Sequence, residues 1–170
     1  SGKFRAFTHD GEGLSHNDVR AICEDRAGRL WVGTSYGLNR LEGERFKAFT
    51  ESSRGQQFKV VLALHVDADG SLWIGTKDLF RLKDGVFTRY NSEEPYLQVS
   101  SLYEDRAGQL WVNGGLRIEG NRLVRAAWAK TALDLLGLVI WTMCEDREGG
   151  YWIGSGTGVV RHLNGVNTYY

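Results

Sequence analysis

The 170 residues carry 21 Lys plus Arg against 21 Asp plus Glu, and 42% of them are hydrophobic and 12% aromatic, enough to fill a sizeable core. A formal net charge of zero leaves no excess of cations for a phosphate backbone, which argues against nucleic acid as a partner. The longest apolar run, Leu135 to Thr142, is too short to span a bilayer and no charged-then-apolar leader opens the chain, so no membrane contact is expected of this segment.

In chain order, Lys3 to Thr8 alternates as a strand should, and the glycine-bearing loop His9-Asp10-Gly11-Glu12-Gly13 follows. Val19 to Glu24 is the next strand. Asp25-Arg26-Ala27-Gly28 reads as a hairpin turn, because aspartate can bond its own backbone and glycine tolerates the positive φ before the return strand, Leu30 to Thr34. Turns at Tyr36-Gly37 and Glu42-Gly43 then give strands at Leu38 to Leu41 and Phe46 to Thr50, a four-stranded antiparallel meander. The same order recurs with strands near Val60 to Val66, Leu72 to Thr76, Leu79 to Leu82 and Val86 to Tyr90. It returns at Val99 to Glu104, Leu110 to Val112, Leu116 to Ile118 and Arg122 to Arg125, where Asn113-Gly114-Gly115 marks a trimmed loop. Ala126 to Leu136 is rich in helix formers and lacks Gly and Pro, and is read as a longer connection with one or two helical turns. A last set follows at Val139 to Glu145, Tyr151 to Gly154, Val159 to Leu163 and Val166 to Tyr170.

The turn and the tryptophan recur together: Asp25, Gly28, Trp31; Asp67, Gly70, Trp73; Asp105, Gly108, Trp111; Asp146, Gly149, Trp152. The tryptophans step by 42, 38 and 41 residues, a period that signals an array of small sheets. Such sheets cannot stand alone and must be covered on both faces, and radial packing of like units gives an all-β propeller. We therefore expect four blades of four antiparallel strands, at about 14–50, 51–90, 91–126 and 127–170, with 1–13 supplying an extra outer strand and loop of a preceding blade. The surplus strand points to a segment or half of a larger ring. The tryptophans and the Gly-Thr pairs after them are expected to hold blade against blade.

Val19-x-x-Ile22, Glu24-Asp25-Arg26-x-Gly28-x-Leu30-Trp31-Val32-Gly33-Thr34, Tyr36-Gly37-Leu38-Asn39-Arg40-Leu41 and the outer Phe46-x-x-Phe49 together resemble the two-component regulator propeller repeat. The resemblance covers nearly the whole chain. It departs at Asn113-Gly114 in place of Gly-Thr, at Ser155 in place of Thr, and at Lys77-Asp78-Leu79, which lacks the glycine. It implies a non-catalytic sensor segment of a bacterial two-component receptor, periplasmic or otherwise extracytoplasmic and anchored through the rest of its protein.

In a propeller, ligands meet the face where the connections between blades and the second-to-third-strand loops emerge. Here those loops offer His16, Asn17, Tyr36, Gln57, Lys59, Tyr96, Gln98 and Asn113, aromatic faces beside amides, the chemistry that holds a small polar or carbohydrate ligand. The tryptophans themselves read as structure in preference to a sugar platform. No catalytic residue, metal ligand set or cofactor is expected: His9, His16, His65 and His162 fall in no Ser-His-Asp order, and Asp67-x-Asp69-Gly70 begins like a calcium loop but lacks the closing glutamate. Cys23 and Cys144, each two residues before a turn aspartate, read as small core residues. The expected partners are thus a small polar or carbohydrate ligand and a second copy that completes a ring. A structural scaffold is the alternative function, and a propeller lyase the remoter one.

Overall fold

The computed structural model describes residues 4–49, 58–92, 94, 97–136 and 140–170. Sixteen strands run in the expected order among them: β1 (Val19–Glu24), β2 (Leu30–Thr34), β3 (Gly37–Glu42), β4 (Arg45–Phe49); β5 (Ala63–Val66), β6 (Leu72–Gly75), β7 (Leu79–Lys83), β8 (Val86–Ser92); β9 (Leu102–Glu104), β10 (Leu110–Val112), β11 (Leu116–Glu119), β12 (Arg122–Arg125); β13 (Ile140–Glu145), β14 (Tyr151–Ser155), β15 (Val159–Leu163), β16 (Val166–Tyr169). Each group of four is an antiparallel meander. The four first strands converge on one groove of about 270 Å³, lined by Ile22, Leu64, Tyr103 and Trp141 among others, as the inner strands of propeller blades should.

The repeat's turn is built the same way four times. The aspartate carbonyl accepts the N–H of Gly28, Gly70, Gly108 or Gly149, and each glycine sits at φ between 74° and 82°, a conformation that costs a side chain strain. The aspartate carboxylate then does what the sequence did not announce. One oxygen of Asp25 accepts the backbone N–H groups of Ala27 and Arg29, and the other accepts the Trp31 indole N–H at 2.8 Å. Asp67–Trp73, Asp105–Trp111 and Asp146–Trp152 repeat that bond at 2.7, 2.8 and 2.8 Å. The carboxylate thereby satisfies an indole donor that blade packing would otherwise bury unpaired.

Three of the four tryptophans then lie against the next blade. Trp31 packs with Phe58, Val61 and Ile74 of blade two, Trp73 with Val99 and Leu110 of blade three, and Trp111 with Ile140 and Ile153 of blade four. The glycine that follows lets the backbones close in: a Cβ on Gly33 would come within 2.5 Å of Val61 Cγ1, and one on Gly75 would overlap the Val99 carbonyl oxygen. The threonine carbonyls also hold the next blade as expected, Thr34 accepting the Val61 N–H and Thr76 the Val99 N–H, and the hydroxyls take a second task. Thr34 Oγ1 accepts the Tyr36 N–H and donates to the Gly37 carbonyl, and Thr76 does the same with Asp78, so it closes its own blade's loop. Ser155, accepting from Thr157 N–H, keeps that role. Blade three turns instead on Asn113 and Gly114, both at positive φ, in the three-residue connection Asn113 to Gly115 that shortens it.

Four expectations are corrected in detail. Residues 4–8 form no ladder strand: a fourth strand needs a third beside it, and none is present among the described residues, so the segment is held by side chains, Phe7 edge-on to Phe46 at 5.4 Å and Arg5 on Glu44 at 3.2 Å. The loop after it contains a one-turn helix, α1 (His9–Glu12), ended by Gly13 in the left-handed region. Blades two and three are not separate sheets, because the end of β8 pairs in parallel with the start of β12, Arg122 opposite Asn91. The helical connection is a full helix, α2 (Ala127–Leu136), whose Trp128 lies flat over the cross-strand pair Tyr151 and His162, 5.6 and 4.5 Å away.

Candidate functional site

The loop face divides into two groups of residues. In the first, His16 and Tyr36 stack with centroids 6.2 Å apart. Asn17 accepts the His9 N–H, and Asp18 accepts from Ser35 Oγ and from the Arg20 guanidinium, bonds that hold its carboxyl below its usual range even against burial. This cluster is an exposed, internally bonded loop pair rather than a hollow.

The second group encloses a cavity of about 460 Å³ above blade two. Lys59 and Val60 approach from the stretch before β5, Thr76, Lys77 and Asp78 from the β6–β7 loop, and Gln98 from the stretch before β9. Phe80, Leu62 and Val60 form an apolar floor, and Arg89 reaches in from β8 to hold Asp78 at 2.9 Å. Three cationic side chains and one carboxylate thus line the cavity, and the carboxylate is engaged by Arg89. An apolar floor with convergent polar groups is the ordinary form of a small-molecule site.

Of the sequence candidates, Lys59 and Gln98 are brought together here, and His16, Asn17 and Tyr36 are brought together elsewhere. Gln57 and Tyr96 lie outside the described residues. Asn113 is spent internally: its Oδ1 accepts the Ser100 and Ser101 N–H groups and its Nδ2 donates to the Gln98 carbonyl at 2.6 Å, which fixes the backbone from which Gln98 projects. Sequence reasoning missed Arg89 because it sits on an outer strand. Its cross-strand partner Phe80, next to the loop, was the available signal.

The residues that suggested chemistry are otherwise engaged. His9 Nδ1 is 2.6 Å from the Leu14 carbonyl, His16 Nδ1 accepts the Asp18 N–H, His65 lies 3.1 Å from Glu104, and His162 lies 2.7 Å from Asn167 Oδ1. No three His, Cys, Asp or Glu side chains among the described residues are grouped to hold a metal. Both cysteines are free thiols; Cys144 is exposed and not the core residue expected, whereas burial together with the neighbouring Asp25 pushes Cys23 up to about 11.

The turn carboxylates carry the clearest electrostatics. Burial alone would raise Asp25, Asp105 and Asp146, but the indole and backbone N–H bonds outweigh it, joined by Arg29, Tyr151 and Arg161 respectively, and hold all three below the usual carboxylate range. The unfolded chain therefore takes up protons first as pH falls. Stability contributed by these groups is complete above about pH 4 and is lost as pH drops toward the folded values. Thermal denaturation followed by circular dichroism should show the melting temperature falling steadily below pH 4, and replacing Asp25 and Asp146 with asparagine should flatten that fall.

No curated protein sequence matches the chain. Among solved structures, it is similar to the extracellular domain of the one-component system BT4673 from B. thetaiotaomicron, with 22% identity and a TM-score of 0.75 over 94% of this chain and 23% of that one. A second structure of that domain, described as part of a hybrid two-component system, gives 22% identity and 0.73 over 91% and 22%. Virginiamycin B lyase from Staphylococcus aureus follows with 15% identity and 0.65 over 90% of this chain and 55% of the lyase. The chain thus spans about a quarter of the sensor domain and about half of the enzyme, and these likenesses show the propeller fold. No helix among the described residues is long and apolar enough to cross a membrane. The two component regulator propeller profile matches residues 13–36, 45–78 and 134–157. In those three stretches, each of which carries the turn, tryptophan and glycine of a blade, the chain is similar to the two-component regulator propeller repeat.

Proposed function

We infer that this segment is a non-catalytic sensory module of a bacterial two-component receptor, on the extracytoplasmic side, and that it recognises a small polar or carbohydrate ligand in the cavity above blade two. The observation that carries the reading is the cavity itself, with Lys59, Lys77, Arg89 and Gln98 around the apolar floor of Val60, Leu62 and Phe80. Sugars present a polar rim and apolar ring faces, and this lining matches both.

Calorimetry and thermal shift across a panel of neutral and acidic mono- and oligosaccharides test it. A ligand at a hundred times its Kd should stabilise the protein by about 2.7 kcal/mol. Lys59→Ala and Arg89→Ala should each weaken binding at least tenfold while leaving the unliganded melting temperature within a degree or two. Absence of any shift, or binding indifferent to both substitutions, would reject this cavity and favour the scaffold reading. Turnover of a streptogramin by the isolated protein would instead favour the lyase reading.

A further inference from the structure

Charge around the blade-two cavity departs from the balance of the chain. Lys plus Arg and Asp plus Glu both number 21 overall, yet the cavity wall sets Lys59, Lys77 and Arg89 against the single carboxylate of Asp78. The Arg89 guanidinium holds that carboxylate at 2.9 Å. Lys59 and Lys77 are exposed, and neither has a carboxylate partner among the described residues. Away from the cavity the same blade does supply partners: Arg81 and Lys83 both reach Asp69, at 3.5 and 3.4 Å. The uncompensated charge is gathered at the cavity.

The same three residues, Lys77, Asp78 and Arg89, also line a second hollow of about 260 Å³, together with Asn91, Ser92 and Glu94. Glu94 is engaged in turn, accepting from Arg125 Nε at 2.7 Å. Arg89 therefore borders two hollows, and the carboxylate lining each is already paired. Its own pair is a loose one: Asp78 takes only the Nη2 nitrogen, and the Arg89 side chain is 40% exposed. Ion pairs this open to water add little to stability, so a second anion can compete for the guanidinium at small cost. A guanidinium donates two parallel N–H bonds to a carboxylate or sulfate, a match that an uncharged hydroxyl lacks.

Resting on the reading of this cavity as a sugar site, we propose that its ligand is an acidic sugar, whose carboxylate or sulfate binds Arg89 against the competing charge of Asp78 and lies among Lys59 and Lys77, while its ring covers Val60 and Phe80. A neutral sugar would drive water from the same three cations without supplying a charge in return, which costs binding energy. An inorganic anion would satisfy the cations and leave the apolar floor wet. Only a ligand that joins an acid group to an apolar ring face uses the whole lining.

Calorimetry with matched pairs tests this: glucose against glucuronate and galactose against galacturonate, as single units and short oligomers, with glucose 6-sulfate and inorganic sulfate as further arms. The acidic member of a pair should bind at least about tenfold tighter, glucose 6-sulfate distinguishing a sulfate from a carboxylate as the preferred group. That preference should shrink by about threefold or more when salt is raised to about 0.5 M, with the neutral member unmoved. Lys77→Gln, at an exposed position, should weaken acidic binding alone by about fivefold, and Asp78→Asn, which keeps the shape and removes the competing charge, should strengthen it by a similar factor. Neutral and acidic members bound equally, both through Lys59 and Arg89, would overturn the proposal and leave the cavity standing as a sugar site. Inorganic sulfate bound as tightly as the acidic sugars would overturn it in favour of a small-anion site, and acidic binding unmoved by Lys77→Gln and Asp78→Asn would place the ligand elsewhere. Binding of no sugar at all would overturn both this proposal and the reading it rests on.

Discussion

Asp105→Ala is expected to lower the melting temperature by about 6–15 °C, the largest effect of any turn substitution. Asp105 is buried and holds four donors: the Trp111 indole, the Tyr151 hydroxyl of the next blade at 2.8 Å, and the backbone N–H groups of Ala107 and Gln109. Hydrogen bonds to a charged group contribute about 1.5–3 kcal/mol each, and donors that share one acceptor are not additive, so a loss of about 3–4 kcal/mol is expected. At this chain length each kcal/mol moves the midpoint by about 2–4 °C. Asp67→Ala, at a less buried turn without a tyrosine from the following blade, should cost about half as much. Tyr151→Phe should recover only its own share, and burial with the Asp105 bond should keep the Tyr151 phenol from ionising until about pH 12 in ultraviolet titration. Equal melting of the Asp67 and Asp105 variants would show that the inter-blade bond contributes nothing.

Gly75→Ala should be as damaging by another route. Its Cβ would overlap the Val99 carbonyl oxygen and come within 2.8 Å of Val99 Cγ1 and 3.1 Å of Ala63 Cβ. Two of these are backbone or β-branched atoms of a packed strand, so the blades themselves must part. Overpacking of this kind costs about 3 kcal/mol. Gly154→Ala is the internal control: at the same repeat position an added Cβ would meet only the Thr142 methyl, at 3.0 Å, among the described residues, so the change should cost under about 1 kcal/mol. Chemical denaturation of the two variants side by side measures the difference, and similar midpoints would refute the close-approach account.

Much of this architecture was legible in the residues. The Asp-x-x-Gly turns and the period of the tryptophans specified four meanders, and strand limits at Leu30–Thr34 or Leu110–Val112 match to the residue. The Asp–Trp bond was visible only as a constant spacing of six, which looks like two independent conserved roles, a turn former and a core residue, until a carboxylate oxygen is seen on the indole. Gly33 and Thr34 read as one motif because they are adjacent, yet strand alternation turns their side-chain positions apart, Gly33 toward the neighbouring blade and the Thr34 hydroxyl into its own loop, while the Thr34 carbonyl bonds the neighbour's Val61 N–H. The loop face was harder. Sequence places loops on a face but not at distances, so His16 and Tyr36 could not be separated from Lys59 and Gln98, and Arg89 was hidden in a strand whose neighbours alternate in and out.

The parallel bridge between β8 and β12 has a mechanical consequence. Blades two and three are fastened twice by backbone, Val99 N–H to the Thr76 carbonyl at the hub and Asn91 N–H to the Asn121 carbonyl at the rim. Blade four meets blade three through the packing of Trp111 on Ile140 and Ile153 and through the side chains of Asp105, Tyr103 and Glu145, with no backbone-to-backbone bond across the seam between their strands among the described residues. The seam between blades two and three is thus held by backbone at both hub and rim, where the seam between blades one and two has the hub bond, Val61 N–H to the Thr34 carbonyl.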